Sequence, residues 1–521
     1  MIMNILKSFT GKEKIILIVI VLLGLILRLY PGNNHYIWTY DQARDAYRSR
    51  SILEKKNIVI VGPQTEYVGL NHGPISYYFL APFYYLSNGD PNLPVLAMIF
   101  FNISTILPLF LLTEQLFKNK RISLLSTLLF TIAYSQIEYA RWLSNISLVV
   151  PFLAWTYFFL FKTYKKLGKG SSLLLGLFLG LAVQSEIFLL YLIAVIYLLF
   201  YFSKQKLNQW FKFHLGLIVG LLPLIVAELK FGFLASKTFF SEFLFSHSNK
   251  MLQASQSIND YLNHLGLASS QTIVGLSYAM GLWFLIMMLI FIAFEFKKFK
   301  ENTRQALSFL LILFFSHSIL FTFFNIDAVF LDLPIYLPLI ILVAFVLNRI
   351  LDQKRLLLAA SLILLIIFSQ LNKLYSNTIN NTPYESYNFI QEGILFSQKI
   401  EIAATMYEMT DADKPFSLAV LGTPYGVRTV WASVFEQYSQ RHNVPVPVWF
   451  GFYANGYPAD DFFQTQDFPE KKHILLIESN QYLIDEYTKL GFMDQQDEAT
   501  QLVKEKELYG YTIQLRVPKE K

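Results

Sequence analysis

Apolar runs separated by short basic clusters occupy the chain as far as about residue 372. The first, residues 15–30, is preceded by Lys7, Lys12 and Lys14. No small-residue cleavage site follows it and many further apolar runs do, so it reads as a retained span with the N-terminus in the cytoplasm. Residues 75–86 are apolar and tyrosine-rich. They are too short for a crossing, which needs about 20 residues. Tyr77, Tyr78, Tyr84 and Tyr85 suit a helix lying in the membrane interface. The later runs can be phased by their basic ends. Residues 93–117 lead to Lys118, Lys120 and Arg121, residues 122–138 return, and residues 147–161 lead to Lys162, Lys165, Lys166 and Lys169. Residues 171–203 carry lysines at both ends and read as a hairpin turning near Gln184-Ser185-Glu186. Residues 211–228, 272–296, 306–324, 330–347 and 356–371 complete the series, with a loop over 229–271. This arrangement gives about eleven crossings and puts every basic cluster on one side.

Beyond residue 372 polar residues rise and the apolar runs shorten to strand length, at 416–421, 473–477 and 511–517. Amphipathic stretches at 398–409, 429–441 and 481–490 lie between them. The pattern predicts a polytopic α-helical membrane domain over 1–372, with an outer loop at about 31–90. A soluble extracytoplasmic α/β domain follows over 373–521.

Composition sharpens this picture. Of 521 residues, 54% are hydrophobic and 15% charged, against about 25% charged in a typical soluble domain. The absence of cysteine excludes disulfides, thiolate nucleophiles and zinc–thiolate sites. A net charge of +6 on so long a chain reflects basic cytoplasmic loops rather than a nucleic-acid surface.

Candidate chemistry is densest in Tyr40-Asp41-Gln42-Ala43-Arg44-Asp45-Ala46-Tyr47, just after the first span. Helical spacing places Asp41, Arg44 and Asp45 on one face. Asp41 suits a general base, a metal ligand or a solvated charge, and Asp45 suits an arginine partner. His72-Gly73-Pro74 reads as the turn opening the 75–86 helix, with His72 placed to face a lipid phosphate. Glu138, Arg141 and Asn145 lie at the second outer turn. There Arg141 serves either a phosphate, through its planar fork, or the interface. Glu186, at the hairpin apex, is an acid between apolar spans and so a functional candidate, or a wet turn. Asp327 and Asp332 read as solvated caps of another outer turn. Gly422-Thr423-Pro424-Tyr425-Gly426 lacks the phosphate-loop lysine and reads as a turn. His442, His473 and Asp460-Asp461 show no metal-ligand spacing.

The motifs Asp41-Gln42-Ala43-Arg44-Asp45-Ala46, His72-Gly73-Pro74-Ile75-Ser76-Tyr77-Tyr78 and Tyr139-Ala140-Arg141-Trp142-Leu143-Ser144-Asn145 resemble, in order and topology, the GT-C superfamily. More narrowly they are similar to glycosyltransferase family 39, the branch of protein O-mannosyltransferases and lipid A aminoarabinose transferases. The resemblance covers roughly the first 200 residues. It implies a multi-pass protein of the plasma (inner) membrane that moves a sugar, with inversion, from a polyprenyl-phosphate carrier to an acceptor on the outer side. It further implies Asp41 as the base that deprotonates the acceptor hydroxyl, and His72 and Arg141 near the donor phosphate, with Arg44 beside them. Asp45, Glu138, Asn145 and Glu186 take supporting places. Family members often carry an acid where Asn145 stands, so a two-carboxylate metal site is not expected here, although a divalent ion stays open. Protein, lipid and glycan acceptors all fit this scaffold. A flippase of lipid-linked glycans would need polar groups along its spans, whereas the charges here cluster at span ends. An inactive binding protein of envelope assembly is the third reading.

Overall fold

The computed structural model describes residues 10–241, 254–319, 329–380, 392–411 and 414–519. Asp327, residues 242–253 of the expected loop and the end of the 306–324 pass lie outside the described residues. The chain divides into two compact units that alternate along the sequence. The first draws on residues up to Tyr30, on Ile58–Phe79 and on Val95–Tyr384. The second draws on Pro31–Asn57, Leu80–Pro94 and Glu385–Lys521. The segment carrying Asp41 therefore folds as part of the second unit, together with the C-terminal sequence.

The first unit is helical. Among the described residues five helices are long and apolar enough to cross a membrane: Asn92–Phe117, Asn145–Tyr164, Tyr278–Lys298, Phe330–Asp352 and Leu356–Ile379. A sixth arises if Leu207–Gly220 and Leu222–Lys230, bent by 66° at their junction, count as one span. Phe330–Asp352 is almost wholly buried and forms the centre of the unit, whereas Tyr278–Lys298 and Leu356–Ile379 leave most of their surface uncovered, as helices facing lipid would.

Several passes expected as straight helices are interrupted. Residues 122–138 divide into Lys120–Ile132 and Tyr134–Arg141, with Ala133 extended between them. The freed Tyr134 N–H donates to Gln370 Oε1 at 2.8 Å. In the 171–203 run the helix Ser171–Ser185 ends at an extended Glu186, and Tyr191–Phe202 follows a short 3₁₀ turn. The 66° bend falls at Leu221, two residues before Pro223, which cannot continue the preceding hydrogen-bond ladder. Residues 229–271, expected as loop, contain the helices Leu234–Phe240 and Ala254–Thr272. The second of these is half polar, which hid it among the apolar spans.

Ser171–Ser185 and Leu207–Gly220 approach very closely. A Cβ at Gly176 would lie 2.0 Å from the Phe213 carbonyl oxygen, and one at Gly216 would lie 2.0 Å from that of Leu173. Glycine here permits backbone contact between two helices that have no hydrophobic difference from lipid to drive them together.

The second unit centres on a six-stranded sheet: β1 Ser417–Leu421, β2 Val448–Phe450, β3 Thr465–Gln466, β4 His473–Ile477, β5 Thr500–Leu508 and β6 Tyr511–Pro518. Its order is β3-β2-β1-β4-β6-β5. β3, β2, β1 and β4 run parallel, and β6 and β5 are antiparallel additions. β1 is buried on both faces, as its unbroken apolar run requires. β5 lies at the edge with Lys504, Glu505, Lys506 and Glu507 exposed, charges that discourage edge-to-edge pairing.

Candidate active site

Asp41 stands in the first turn of the helix Tyr40–Glu54, where an acidic side chain complements the helix dipole. The turn is fixed by Gln42, whose Oε1 accepts from the Thr39 N–H at 3.1 Å and from its hydroxyl at 2.6 Å. Arg44 bridges two carboxylates, with Nη1 2.8 Å from Asp41 Oδ1 and Nε 2.8 Å from Asp45 Oδ1. The two acids differ sharply. The Asp41 side chain is 63% exposed and that of Asp45 only 6%. Asp45 thus anchors the arginine, while Asp41 presents its carboxylate to whatever approaches.

The helix is fastened to the rest of the second unit by polar contacts. Arg50 Nη1 donates to both carboxylate oxygens of Glu436, at 2.9 and 2.8 Å, and its Nε reaches Glu54. The Tyr47 hydroxyl donates to Glu436 at 3.0 Å. Burial first, and the Glu436 charge second, push the Tyr47 phenol well above its ordinary range. Upstream, Trp38 N–H donates to the Ile394 carbonyl at 2.9 Å and Phe396 N–H to the Tyr36 carbonyl at 3.0 Å. The Trp38 indole meets Ser433 Oγ at 2.9 Å.

In the first unit His72, Asn145 and Glu186 meet at the break after Ser185. His72 Nδ1 accepts from Ile187 N–H at 3.4 Å, and Asn145 Nδ2 donates to the Ser185 carbonyl at 2.6 Å. Gly73 N–H donates to the Gln184 carbonyl at 2.7 Å. Glu186 caps the following turn through Phe188 N–H at 3.2 Å, and its Oε2 meets no hydrogen-bond donor among the described residues. Glu186 is buried.

Beside this break opens a cavity of about 710 Å³, walled by Val183, Ile187, Leu221, Leu224 and Ile225 and edged by Asn71, His72 and Glu228. The bend at Leu221 makes one wall. Glu228 caps the Leu234–Phe240 helix by accepting from Ala235 and Ser236 N–H at 3.0 and 3.1 Å. Read from the sequence it is only the end of a span, and no local pattern marks it.

Glu138 and Arg141 form a buried ion pair, and Arg141 also donates to the Tyr30 carbonyl. Neither lines the cavity. Arg28, which sequence reasoning passed over, lies within electrostatic reach of Arg141. It is fully buried, with Nε 2.9 Å from Asn102 Oδ1 and Nη1 3.0 Å from the Thr131 carbonyl. An arginine in the last turn of the first span was the available signal.

Asp332 differs from the solvated cap expected of it. It is completely buried, with Oδ1 3.0 Å from His264 Nδ1 and 3.4 Å from His317 Nε2. Its turn is folded inward, where imidazoles answer the carboxylate. In the second unit the Gly422–Gly426 turn is pinned by Asn480, which accepts from Thr423 N–H at 3.2 Å. Below it burial lowers the Lys399 ammonium to about 8, and burial raises the Glu478 carboxyl, which takes the Trp431 indole N–H at 2.7 Å. Among the described residues no group of three or more His, Asp or Glu side chains is arranged to hold a metal ion.

Residues 71–228 match the family model described as dolichyl-phosphate-mannose-protein mannosyltransferase. No curated protein sequence matches the chain significantly. Among solved structures, ArnT from Cupriavidus metallidurans superposes in two states. The form bound to undecaprenyl phosphate gives a TM-score of 0.55 at 10% identity, covering 96% of this chain and 97% of that one. The apo form gives 0.56 at 11% identity over the same shares. The chain has the GT-C fold, with a strand-containing C-terminal part, and several of its helices are long and apolar enough to cross a membrane. Family match and fold together support a membrane glycosyltransferase of the GT-C type.

Proposed function

We propose that this protein transfers a sugar, with inversion, from a polyprenyl-phosphate carrier to a hydroxyl-bearing acceptor on the outer side of the membrane. The observation that carries the reading is the 710 Å³ cavity edged by His72. Its walls are mostly apolar, aliphatic side chains with Phe231, Phe233, Phe239 and Phe240 among them, the lining an isoprenoid chain requires, and about half of them belong to the 71–228 segment that matches the family model. His72 stands at its polar margin, where a phosphate headgroup would stop.

Asp41 is the base. Its exposed carboxylate takes the proton of the acceptor hydroxyl as the oxygen attacks the anomeric carbon, and the carrier leaves as a phosphate. No nucleotide is needed because the leaving group is already a phosphate. Arg44 orients Asp41, and Asp45 holds Arg44. Arg141 and His72 supply the electrostatic stabilisation of the leaving phosphate. Arg141 would exchange part of its pairing with Glu138 for the phosphate, a charge-for-charge substitution that its planar fork allows. The second unit lies on the outer side with Asp41, and the basic loops face the cytoplasm.

The experiment is to incubate the purified chain with a radiolabelled polyprenyl-phosphate sugar and follow the released carrier. The expected result is formation of polyprenyl phosphate, accelerated by acceptor and lost in Asp41→Asn. Binding of the carrier lipid without any sugar release from a panel of donors would reject the transferase reading.

A further inference from the structure

A second cavity lies wholly within the second unit and plays no part in the chemistry derived so far. It has a volume of about 610 Å³, well inside the roughly 300–1,000 Å³ of ordinary small-ligand sites. One wall is the C-terminal half of the Tyr40–Glu54 helix, and the other is the Gly456–Phe462 segment. We infer that this groove binds the acceptor, and that the acceptor is an uncharged glycan. The inference rests on the transferase reading above.

The first argument is register. Asp41, Arg44, Arg48, Ser51 and Lys55 follow one another at spacings of three and four, one stripe along the helix. Arg48, Ser51 and Lys55 line the groove. The base therefore stands at one end of the stripe that forms the groove wall, and Arg48 lies about 10 Å farther along the axis at 1.5 Å per residue. A molecule that offers a hydroxyl to Asp41 has its remaining length directed along this wall. Tyr457 joins the two: its ring lies 6.0 Å from that of Tyr40, edge to face, and it also lines the groove.

The second argument is the rigidity of the opposite wall. Arg428 lies 4.2 Å over the Tyr453 ring and donates to the Asp460 carbonyl. Asp460 Oδ2 accepts from Gly456 N–H at 2.7 Å, and Thr429 Oγ1 donates to the Pro458 carbonyl at 2.8 Å. These bonds hold the segment before any ligand arrives, so little ordering cost falls on binding.

The third argument is chemical class. The lining carries three cations, Arg48, Arg50 and Lys55, and three acids, Glu54, Asp460 and Asp461. Arg50 is already committed to Glu54 and Glu436. No net positive field remains for a phosphorylated or nucleic-acid ligand. The mixture of polar groups is unlike the largely apolar wall of the first cavity. The groove is bounded by a helix and a loop, so an extended peptide finds no strand edge to extend. What remains is exposed aromatic surface beside carboxylates. Tyr457 offers a ring to the C–H face of a sugar, and Asp461, also exposed, offers acceptor oxygens to its hydroxyls.

The test uses the full chain in detergent on an array of neutral gluco-, galacto- and manno-oligosaccharides of increasing length, without donor. A parallel set of serine- and threonine-rich peptides is included. Binding is read without donor and so stands or falls separately from turnover. The expected result is retention of at least one glycan, weakened tenfold or more by Tyr457→Ala and by the isosteric Asp461→Asn, and unchanged by Lys506→Ala on the exposed edge strand. Each variant is accepted when its thermal unfolding matches that of the parent chain. The proposal is overturned if no glycan is retained, if retention ignores both groove variants, or if the peptides are retained in a way that depends on Tyr457 and Asp461.

Discussion

The helix that carries Asp41 and the helices around Glu186 solve the same problem by different means. Tyr40–Glu54 is an uninterrupted, well-capped helix held in place by side chains: Arg50 and Tyr47 on Glu436, and Arg44 between two carboxylates. The Glu186 region is made by interruption. There the helix stops, and the freed backbone groups are taken by Gly73, Asn145 and His72. In water a side-chain network can be tuned charge by charge. In an apolar surround every freed N–H and C=O must find a partner, so breaks occur only where polar side chains already wait. An exposed carboxylate stands on the first kind of frame, and an apolar cavity opens between pieces of the second.

The largest test of this contrast is at Asp41. Asp41→Asn keeps the helix and its bond to Arg44 but cannot take a proton. Transfer should fall by about 10²–10⁴-fold, with carrier-lipid binding retained in a direct binding assay. Near-normal turnover would move the base elsewhere and leave the exposed carboxylate as surface.

A pH scan follows in size. His473 is buried between Ser417 Oγ at 2.9 Å and Gln496 Oε1 at 2.8 Å, and burial lowers it to about 4. The unfolded chain takes up the proton below about pH 6.5, while the folded sheet resists until near 4. Stability of the second unit therefore drains away as pH falls through that window, by roughly 3 kcal/mol in all. Tryptophan fluorescence of Trp431 and Trp449 during heating should register the loss, and His473→Gln should flatten it.

Asp45→Asn comes next. Its carboxylate is buried, so weakening its bond to Arg44 should cost about 1–3 kcal/mol, seen as a lower unfolding temperature. A change under about 0.5 kcal/mol would mark the pair as equivalent to an exposed one. The smallest expected effect lies in the other frame. Leu224→Trp projects bulk into the apolar cavity beside His72 and, if the carrier lipid binds there, should weaken polyprenyl-phosphate binding about tenfold, roughly 1.4 kcal/mol, while leaving the Asp41 helix untouched. Unchanged lipid affinity would remove the cavity from the donor site.

Much of this architecture is legible from residues. The strand His473–Ile477 is found where an apolar run predicts it, because a buried parallel strand needs an unbroken one. The helix Thr429–His442 likewise follows its amphipathic stretch. β5 is invisible by the same rule, since an edge strand with Lys and Glu on its exposed face has no hydrophobic pattern to read. The amphipathic stretch at 481–490 only partly overlaps the helix, which Asp485 caps and which runs from Glu486 to Ala499. The break at Glu186 coincides with the only polar triplet in its run, but the bond from His72 to Ile187, 115 residues apart, has no local signature. Asp41, Arg44 and Asp45 share a face by spacing alone. That one of the two acids is buried depends on long-range packing.

The Asp41 helix rests on contacts of extreme sequence separation: Trp38 with Ser433, 395 residues apart, and Arg50 with Glu436, 386 apart. At about 5–20 residues per second of synthesis, roughly 20–80 s pass between the emergence of Trp38 and that of its partner. Through that interval the helix lacks the partners that Ser433 and Glu436 supply. A ribosome that terminates before residue 433 releases a chain whose Asp41 helix lacks both contacts. The order of translation thus leaves the fastening of this helix to the late part of synthesis, because its partners Ser433 and Glu436 emerge long after it.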